Sequence, residues 1–185
     1  MKWSIVIVVM LTVPRVADAK EPGQLPVIHL EMRNDAEVPA DILKRSQHEL
    51  VRIFGDAGFG VEWAETGPRF TVQMVASALG SSGAASTAMG VESTVMGVAS
   101  RTPTGATAQI FVSRVQYLAR TYRVDASRLL AYVVAHEIGH LLLPRAPHSV
   151  TGLMKADWDS DQVREAAAGS LMFTGTQIKR LHAFR

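Results

Sequence analysis

Residues 135–154, AHEIGHLLLPRAPHSVTGLM, concentrate the side chains of this chain that could do chemistry. His136 and His140 are four residues apart, and Glu137 directly follows the first of them. In an α-helix, positions four apart point only about 40° from one another, so both imidazoles project from one face and can reach a single ion. This pattern, HExxH, predicts a metal site with a carboxylate beside it.

Zinc is the metal that this pattern favours. Imidazole is one of its preferred ligands, and a catalytic zinc site uses three protein ligands and keeps one position open for water. Such an ion lowers the pKa of its water to about 7, so a neighbouring carboxylate can take up the proton. Glu137 is placed for that role rather than for ligation. The sequence has no cysteine, so a metal must be held by His, Asp or Glu.

A third ligand is expected after the helix that carries these residues. His148 stands eight residues beyond His140, and Pro144 and Pro147 predict that the helix ends between them and that the chain turns back. We therefore expect His148 to complete the site. Three carboxylates farther along the chain are the alternatives: Asp157, Asp159 and Glu165, the last of which would mean a ligand from a second helix.

This segment resembles the metzincin metallopeptidases, whose pattern is HExxHxxGxxH followed by a methionine turn. The pair His148-Ser149, with Leu153-Met154 after it, is most similar to the matrixin branch of that family. The sequence departs from the family in one respect. The third histidine follows the second by eight residues rather than six, and Leu143 stands where the family has the glycine of the bend.

The resemblance implies a role for each of these residues. It makes His136, His140 and His148 the zinc ligands, Glu137 the general base and Met154 the methionine of the turn beneath the metal. It also implies an α+β fold, with a twisted, mainly parallel sheet, one antiparallel edge strand, packed helices that include the HExxH helix, and a small C-terminal part with a closing helix. The edge strand would pair with an extended peptide substrate through its main chain.

The strands that would build this sheet are predicted from alternating apolar and polar residues. They cover residues 25–33, 61–65, 70–76 and 108–113. Residues 79–107 are rich in Gly, Ser, Ala and Thr, and we interpret them as a long exposed loop that carries a short edge strand near residues 94–99.

The helices are predicted from apolar stripes and from their capping residues. One covers residues 40–54 and another begins at Arg114; a long helix covers about 128–142, with Asp125 or Ser127 as its N-cap. That helix is apolar on all sides, which predicts that it is buried. Residues after Met154 are polar, and residues 173–185 form a closing helix that packs through Ile178, Leu181 and Phe184.

Length and composition predict one exported domain. Residues 1–19 combine a charged start, a short apolar run and Ala17-Asp18-Ala19, which is the pattern of a cleaved signal peptide. Residues 20–185 then form a single metallopeptidase-like domain, secreted or periplasmic, without a membrane anchor. This part carries 17 basic and 16 acidic residues, scattered singly, so no nucleic-acid partner is expected.

The sequence as a whole predicts a monomeric zinc endopeptidase that acts on peptides or proteins. Two alternatives remain open. One is a secreted binding protein on a metallopeptidase-like fold that performs no turnover. The other is a gluzincin-like peptidase in which Glu165 is the third ligand.

Overall fold

The computed structural model describes residues 25–64, 67, 70–77, 95–103, 105–143 and 148–183. These ranges contain five strands and five helices, in the order β1 (Val27–Asn34), α1 (Ala40–Asp56), β2 (Gly60–Trp63), β3 (Phe70–Val75), β4 (Gly97–Thr102), β5 (Gly105–Phe111), α2 (Val112–Tyr122), α3 (Ala126–Leu142), α4 (Ser160–Ala168) and α5 (Gly175–Ala183). The fold is of the mixed α+β class, as the sequence predicts.

The strands form one sheet with the order β2-β1-β3-β5-β4. Strand β1 is parallel to both β2 and β3, and β3 is parallel to β5. Strand β4 is antiparallel to β5 and forms an edge. The predicted sheet, mostly parallel with one antiparallel edge strand, is confirmed. The edge strand starts at Gly97, three residues later than expected, and Thr94 lies outside the described residues.

Helix α3 runs through the core and carries the HExxH pattern. It packs against α1, α2 and α4 as well as against β4 and β5, which is why it can be apolar on all sides. Asp125 is its N-cap: the carboxylate accepts hydrogen bonds from the backbone amides of Ser127 at 2.7 Å and Arg128 at 3.3 Å. The cap fixes where the helix begins, and packing against the neighbouring helices and strands sets the direction in which its polar residues point.

The structure differs from the prediction in two places. Residues 112 and 113 begin helix α2 instead of ending a strand, because Val112, Val115 and Ala119 follow helical spacing and are all buried. Helix α4 forms in the polar stretch after Met154. It is short and buries only Val163 and Ala166, so its apolar pattern is too weak to be recognised from the sequence.

The closing helix is confirmed as α5, with Leu181 buried and Ile178 packed on the core. Several predictions fall outside the described residues: the signal peptide at 1–19, most of the loop at 79–107, the turn at Pro144 and Pro147, and Phe184. Within the described ranges, the helices are too short or too polar to cross a bilayer.

Candidate metal centre

Helix α3 places His136, Glu137 and His140 at one cavity. The Nε2 atoms of His136 and His140 are 3.0 Å apart, and their rings meet edge to face. His136 is buried and His140 is half-buried. The four-residue spacing on a helix whose start is fixed by Asp125 is what brings the two rings together.

His148 joins this pair from the chain that follows the helix. Its ring centroid lies 4.8 Å from that of His140 and 5.7 Å from that of His136. The three ligand nitrogens all lie within 4.8 Å of one another. His148 is exposed, so the cluster is open to solvent on its side. The eight-residue spacing thus still allows all three histidines to reach one ion.

A main-chain carbonyl orients the innermost of these rings. His136 Nδ1 lies 2.7 Å from the carbonyl oxygen of Leu153. Because a carbonyl oxygen only accepts, Nδ1 carries the hydrogen and donates it, which leaves the lone pair on Nε2. That nitrogen faces His140. In metal-ligating histidines, an acceptor bonded to the other ring nitrogen fixes the tautomer and the orientation of the ring.

The electrostatics of the cluster suit metal binding. Burial lowers the pKa of His136; burial and the neighbouring rings of His136 and His148 lower the pKa of His140 to about 4. Both imidazoles are therefore neutral at pH 7, the form in which histidine binds metals. Two nitrogens on a tetrahedral ion at about 2.0 to 2.1 Å are roughly 3.3 Å apart, close to the observed 3.0 Å. The residues fit a metal ion.

Glu137 lies beside the cluster and is only 6% exposed. Burial raises the pKa of its carboxyl group to about 7. Its side chain packs against the main chain of β4 at Gly97, where a β carbon would be 2.8 Å from Glu137 Cγ. The carboxyl group is therefore held between the helix and the edge strand.

One cavity of about 410 Å³ joins these groups. Its walls come from three parts of the chain. They are Val95, Met96, Gly97, Val98 and Ala99 at and before β4, Val133, His136, Glu137 and His140 on α3, and His148, Ala156, Asp157 and Trp158 after the helix. The cavity thus has the edge strand along one side and the three histidines along another.

Met154 lies directly beneath the HExxH turn. It is fully buried, and a methyl group added at Gly139 would overlap its Sδ atom. Gly139 is the fourth residue of the HEIGH sequence, so the close approach occurs between His136 and His140. Only a residue without a side chain leaves room for the methionine there.

The three alternative ligands differ in where they lie. Asp157 lines the cavity, but the carboxylate of Asp159 pairs with Lys155 Nζ at 2.8 Å and caps α4. Glu165 is exposed on α4. Within the described ranges, the three histidines are the group of potential ligands whose atoms converge.

Four residues that shape the centre were not identified from the sequence: Gly97, Gly139, Leu153 and Trp158. The ring of Trp158 meets that of His136 edge to face, with centroids 5.8 Å apart. A contact made by a backbone carbonyl, as at Leu153, or by the main chain of a glycine, as at Gly97 and Gly139, gives no recognisable pattern in a single sequence. Trp158 does leave one, since a tryptophan four residues after the methionine could have been assigned to the cavity wall.

No protein-family model matches the chain, and no curated protein has a similar sequence. The interpretation of the site therefore depends on its geometry.

Proposed function

We propose that this chain is an exported, zinc-dependent endopeptidase of the metzincin type. One observation carries the proposal: the buried carboxyl group of Glu137 lines the same cavity as three converging imidazoles. A structural zinc site uses four protein ligands, whereas a catalytic site uses three and keeps one position open. Three histidines with an exposed side at His148 and an acid group beside them match the catalytic arrangement.

Zinc is the metal that best fits this set of ligands. Three imidazole nitrogen donors, without a thiolate and without a cage of carboxylates, disfavour calcium and magnesium, which prefer oxygen. The carbonyl of Leu153 behind His136 is the kind of outer partner that zinc-ligating histidines have.

Two features support the metzincin type in particular. The sheet has its antiparallel edge strand along the cavity, as the resemblance implies. Met154 lies under the HExxH turn, where the methionine turn of that family is expected. Neither feature is required by an HExxH pattern alone.

The edge strand offers a place for an extended substrate. The backbone amide of Phe111 donates to the carbonyl oxygen of Met96 at 2.8 Å, so these residues form a hydrogen-bonded pair. Along an antiparallel ladder, hydrogen-bonded pairs alternate with pairs that share no hydrogen bond. The main-chain groups of Gly97 and Ala99 therefore face away from β5. Both residues line the cavity. A peptide that pairs with them would run past the histidines, with its side chains alternating between cavity and solvent.

The proposed reaction is hydrolysis of a peptide bond. A zinc ion held by the three imidazoles would polarise the scissile carbonyl group and lower the pKa of a water molecule in the cavity. Glu137 accepts a proton from this water as its oxygen adds to the carbonyl carbon. The same carboxyl group then donates the proton to the amide nitrogen as the C–N bond breaks, and so returns to its starting form. Burial makes Glu137 a stronger base than an exposed glutamate.

The direct test is Glu137→Gln, which keeps the size of the side chain and removes the base. We expect its zinc content to equal that of the unmodified protein and its cleavage of a peptide library to fall by at least about 100-fold. Glu165→Gln is the matched control, because that carboxylate is exposed on α4, and both measurements should be unchanged. Full proteolysis by the Glu137 variant would reject the proposed base.

Zinc content and peptide cleavage, measured also for His148→Ala and Glu165→Ala, address the two alternatives. A zinc-loaded protein that cleaves no peptide in the library would favour a binding protein without turnover. Zinc lost in Glu165→Ala but kept in His148→Ala would favour the gluzincin-like arrangement. The converging nitrogens of His148 and its partners predict the opposite result.

A further inference from the structure

Gln177 is a buried polar residue that takes no part in the proposed reaction. It lies in the first turn of α5 and is only 6% exposed. It belongs to a small set of buried polar side chains in the described ranges: Ser46, Ser127, His136, Glu137 and Gln177. A buried amide needs partners for both its oxygen and its nitrogen, and these partners show what it does.

The oxygen of Gln177 caps its own helix. The backbone amide of Thr174 donates to Gln177 Oε1 at 2.8 Å, and the backbone amide of Gln177 donates to Thr174 Oγ1 at 3.3 Å. This reciprocal pair is a capping box. Because a backbone N–H can only donate, the side-chain atom that faces Thr174 is the oxygen. The opposite atom of the amide must then be the nitrogen.

The nitrogen of Gln177 reaches the residue that follows the third histidine. Gln177 Nε2 donates to Ser149 Oγ at 2.8 Å, and Ser149 Oγ donates in turn to the carbonyl oxygen of Thr151 at 2.7 Å. The backbone amide of Ser149 donates to the carbonyl oxygen of Met154 at 2.9 Å. Ser149 is thus held through its side chain and through its main chain. These bonds fix the backbone of the residue that directly follows His148.

The same bend orients His136. Its Leu153 carbonyl receives the hydrogen bond from His136, and the Leu153 amide donates to the carbonyl oxygen of Met172 at 2.8 Å. At Gly152, with φ of +75°, a β carbon would be 2.8 Å from the same Met172 oxygen. The bend at 148–154 is therefore held at Ser149 by α5 and at Leu153 by the segment that leads into α5.

We propose that Gln177 is a positioning residue for the metal centre: its amide holds the His148 bend so that the His148 ring faces His136 and His140. The inference rests on the proposed function, since the site that Gln177 would position is the proposed zinc site. His148 follows His140 by eight residues, without the glycine of the family pattern between them, so we expect it to need an anchor from elsewhere in the chain. The buried amide of α5 supplies one.

The test is Gln177→Glu in the full chain. Glutamate keeps the oxygen that caps Thr174, but a carboxylate cannot donate a hydrogen bond to Ser149. We expect zinc affinity, measured by competition with a chelator, to fall by up to about 10- to 100-fold, the loss that is typical when a group bonded directly to a metal ligand is removed. In metal-free protein, the amide of Ser149 should exchange its hydrogen faster.

Gln162→Glu is the matched control. Gln162 occupies the corresponding position of the capping box of α4, and its oxygen accepts from Lys155 Nζ at 2.6 Å. The same substitution there keeps its acceptor role, so zinc affinity and the exchange of Ser149 should not change. Ser149→Ala removes the same hydrogen bond from the other partner. It should reproduce the effect, and Gln177→Glu added to it should cost little more.

The possible results separate this proposal from the peptidase proposal. Unchanged zinc affinity and unchanged Ser149 exchange in Gln177→Glu would overturn the role of Gln177. If Gln177→Glu fails to fold, Ser149→Ala decides by the same two measurements. If the unmodified protein binds no zinc, the peptidase proposal fails. The exchange measurement, made without metal, then still shows whether Gln177 holds the bend.

Discussion

The main chain of Gly97 lies against the side chain of Glu137. A β carbon on Gly97 would be 2.8 Å from Glu137 Cγ and 2.9 Å from Oε1. It would also be 2.8 Å from the carbonyl oxygen of Gln109, which belongs to the backbone of β5 and cannot easily move away. The edge strand is therefore a wall that fixes the proposed base, in addition to its proposed role in pairing with a substrate.

Gly97→Ala should impair cleavage without removing the metal. The added methyl group must push Glu137 away from its position, and a misplacement of about 1 Å can cost on the order of 100-fold in rate. We expect kcat to fall by about 10- to 100-fold while zinc content stays the same. Gly105→Ala is the control, since a β carbon there meets no atom within 4 Å. Normal kcat in Gly97→Ala would contradict the contact.

Gly139→Ala should destabilise the protein. Alanine favours helices over glycine by about 1 kcal/mol, but here its methyl group overlaps Met154. Overpacking of a core costs about 1 to 3 kcal/mol, so we expect the free energy of unfolding in urea to fall. Gly55→Ala in α1 has open space around its β carbon and should be neutral or stabilising. Equal effects of the two substitutions would contradict close packing at Gly139.

Met154→Ala should partly rescue Gly139→Ala. Alone, the loss of the buried Met154 side chain leaves a cavity and costs about 2 to 5 kcal/mol. In the double variant, the methyl group added at position 139 occupies space that the methionine has vacated. The two losses in unfolding free energy should therefore sum to more than the loss in the double variant. Strict additivity would show that the two residues do not share this space.

The cap of α3 makes stability depend on pH. Hydrogen bonds from the side chain and backbone of Ser127 and from the backbone of Arg128 lower the pKa of Asp125 from 3.8. A lowered pKa means that this stabilisation is complete above pH 3.8 and is lost as the pH falls through the folded-state value. Asp125→Ala should cost about 0.5 to 2 kcal/mol at pH 7 and less at pH 3.

Asp125→Asn separates the cap from the charge. Asparagine caps helices about as well as aspartate but does not titrate in this range. Its unfolding free energy should be close to that of the unmodified protein at pH 7. Unlike the unmodified protein, it should lose no cap stabilisation between pH 5 and pH 3. An unchanged pH profile in this variant would show that Asp125 is not responsible.

Much of the fold could be predicted because local signals and packing agree. Alternating apolar and polar residues define β1 and β3. Asp125 marks the start of α3, which is apolar on all sides and must therefore be buried. Helix α4 could not be predicted, since its two buried residues, Val163 and Ala166, are too few to form a recognisable apolar stripe in the sequence. The prediction that residues 112 and 113 end a strand is wrong, because a β-branched residue such as Val112 suits a strand at least as well as a helix.

For the site, the helical repeat alone places His136, Glu137 and His140 together. The position of His148 could only be expected from chemistry, because contacts from α5, 28 residues away along the chain, hold the bend. The capping box of Thr174 and Gln177 was visible in the sequence as T-x-x-Q. Its second role, the bond to Ser149, depends on tertiary structure and left no local pattern.

The most direct test of the metal centre is anomalous diffraction from crystals grown with zinc. We predict one strong peak at about 2.0 to 2.1 Å from a ring nitrogen of each of His136, His140 and His148, with Nε2 as the atom of His136. A peak that lies elsewhere, or a zinc ion that His148 does not touch, would contradict a zinc site formed by these three histidines.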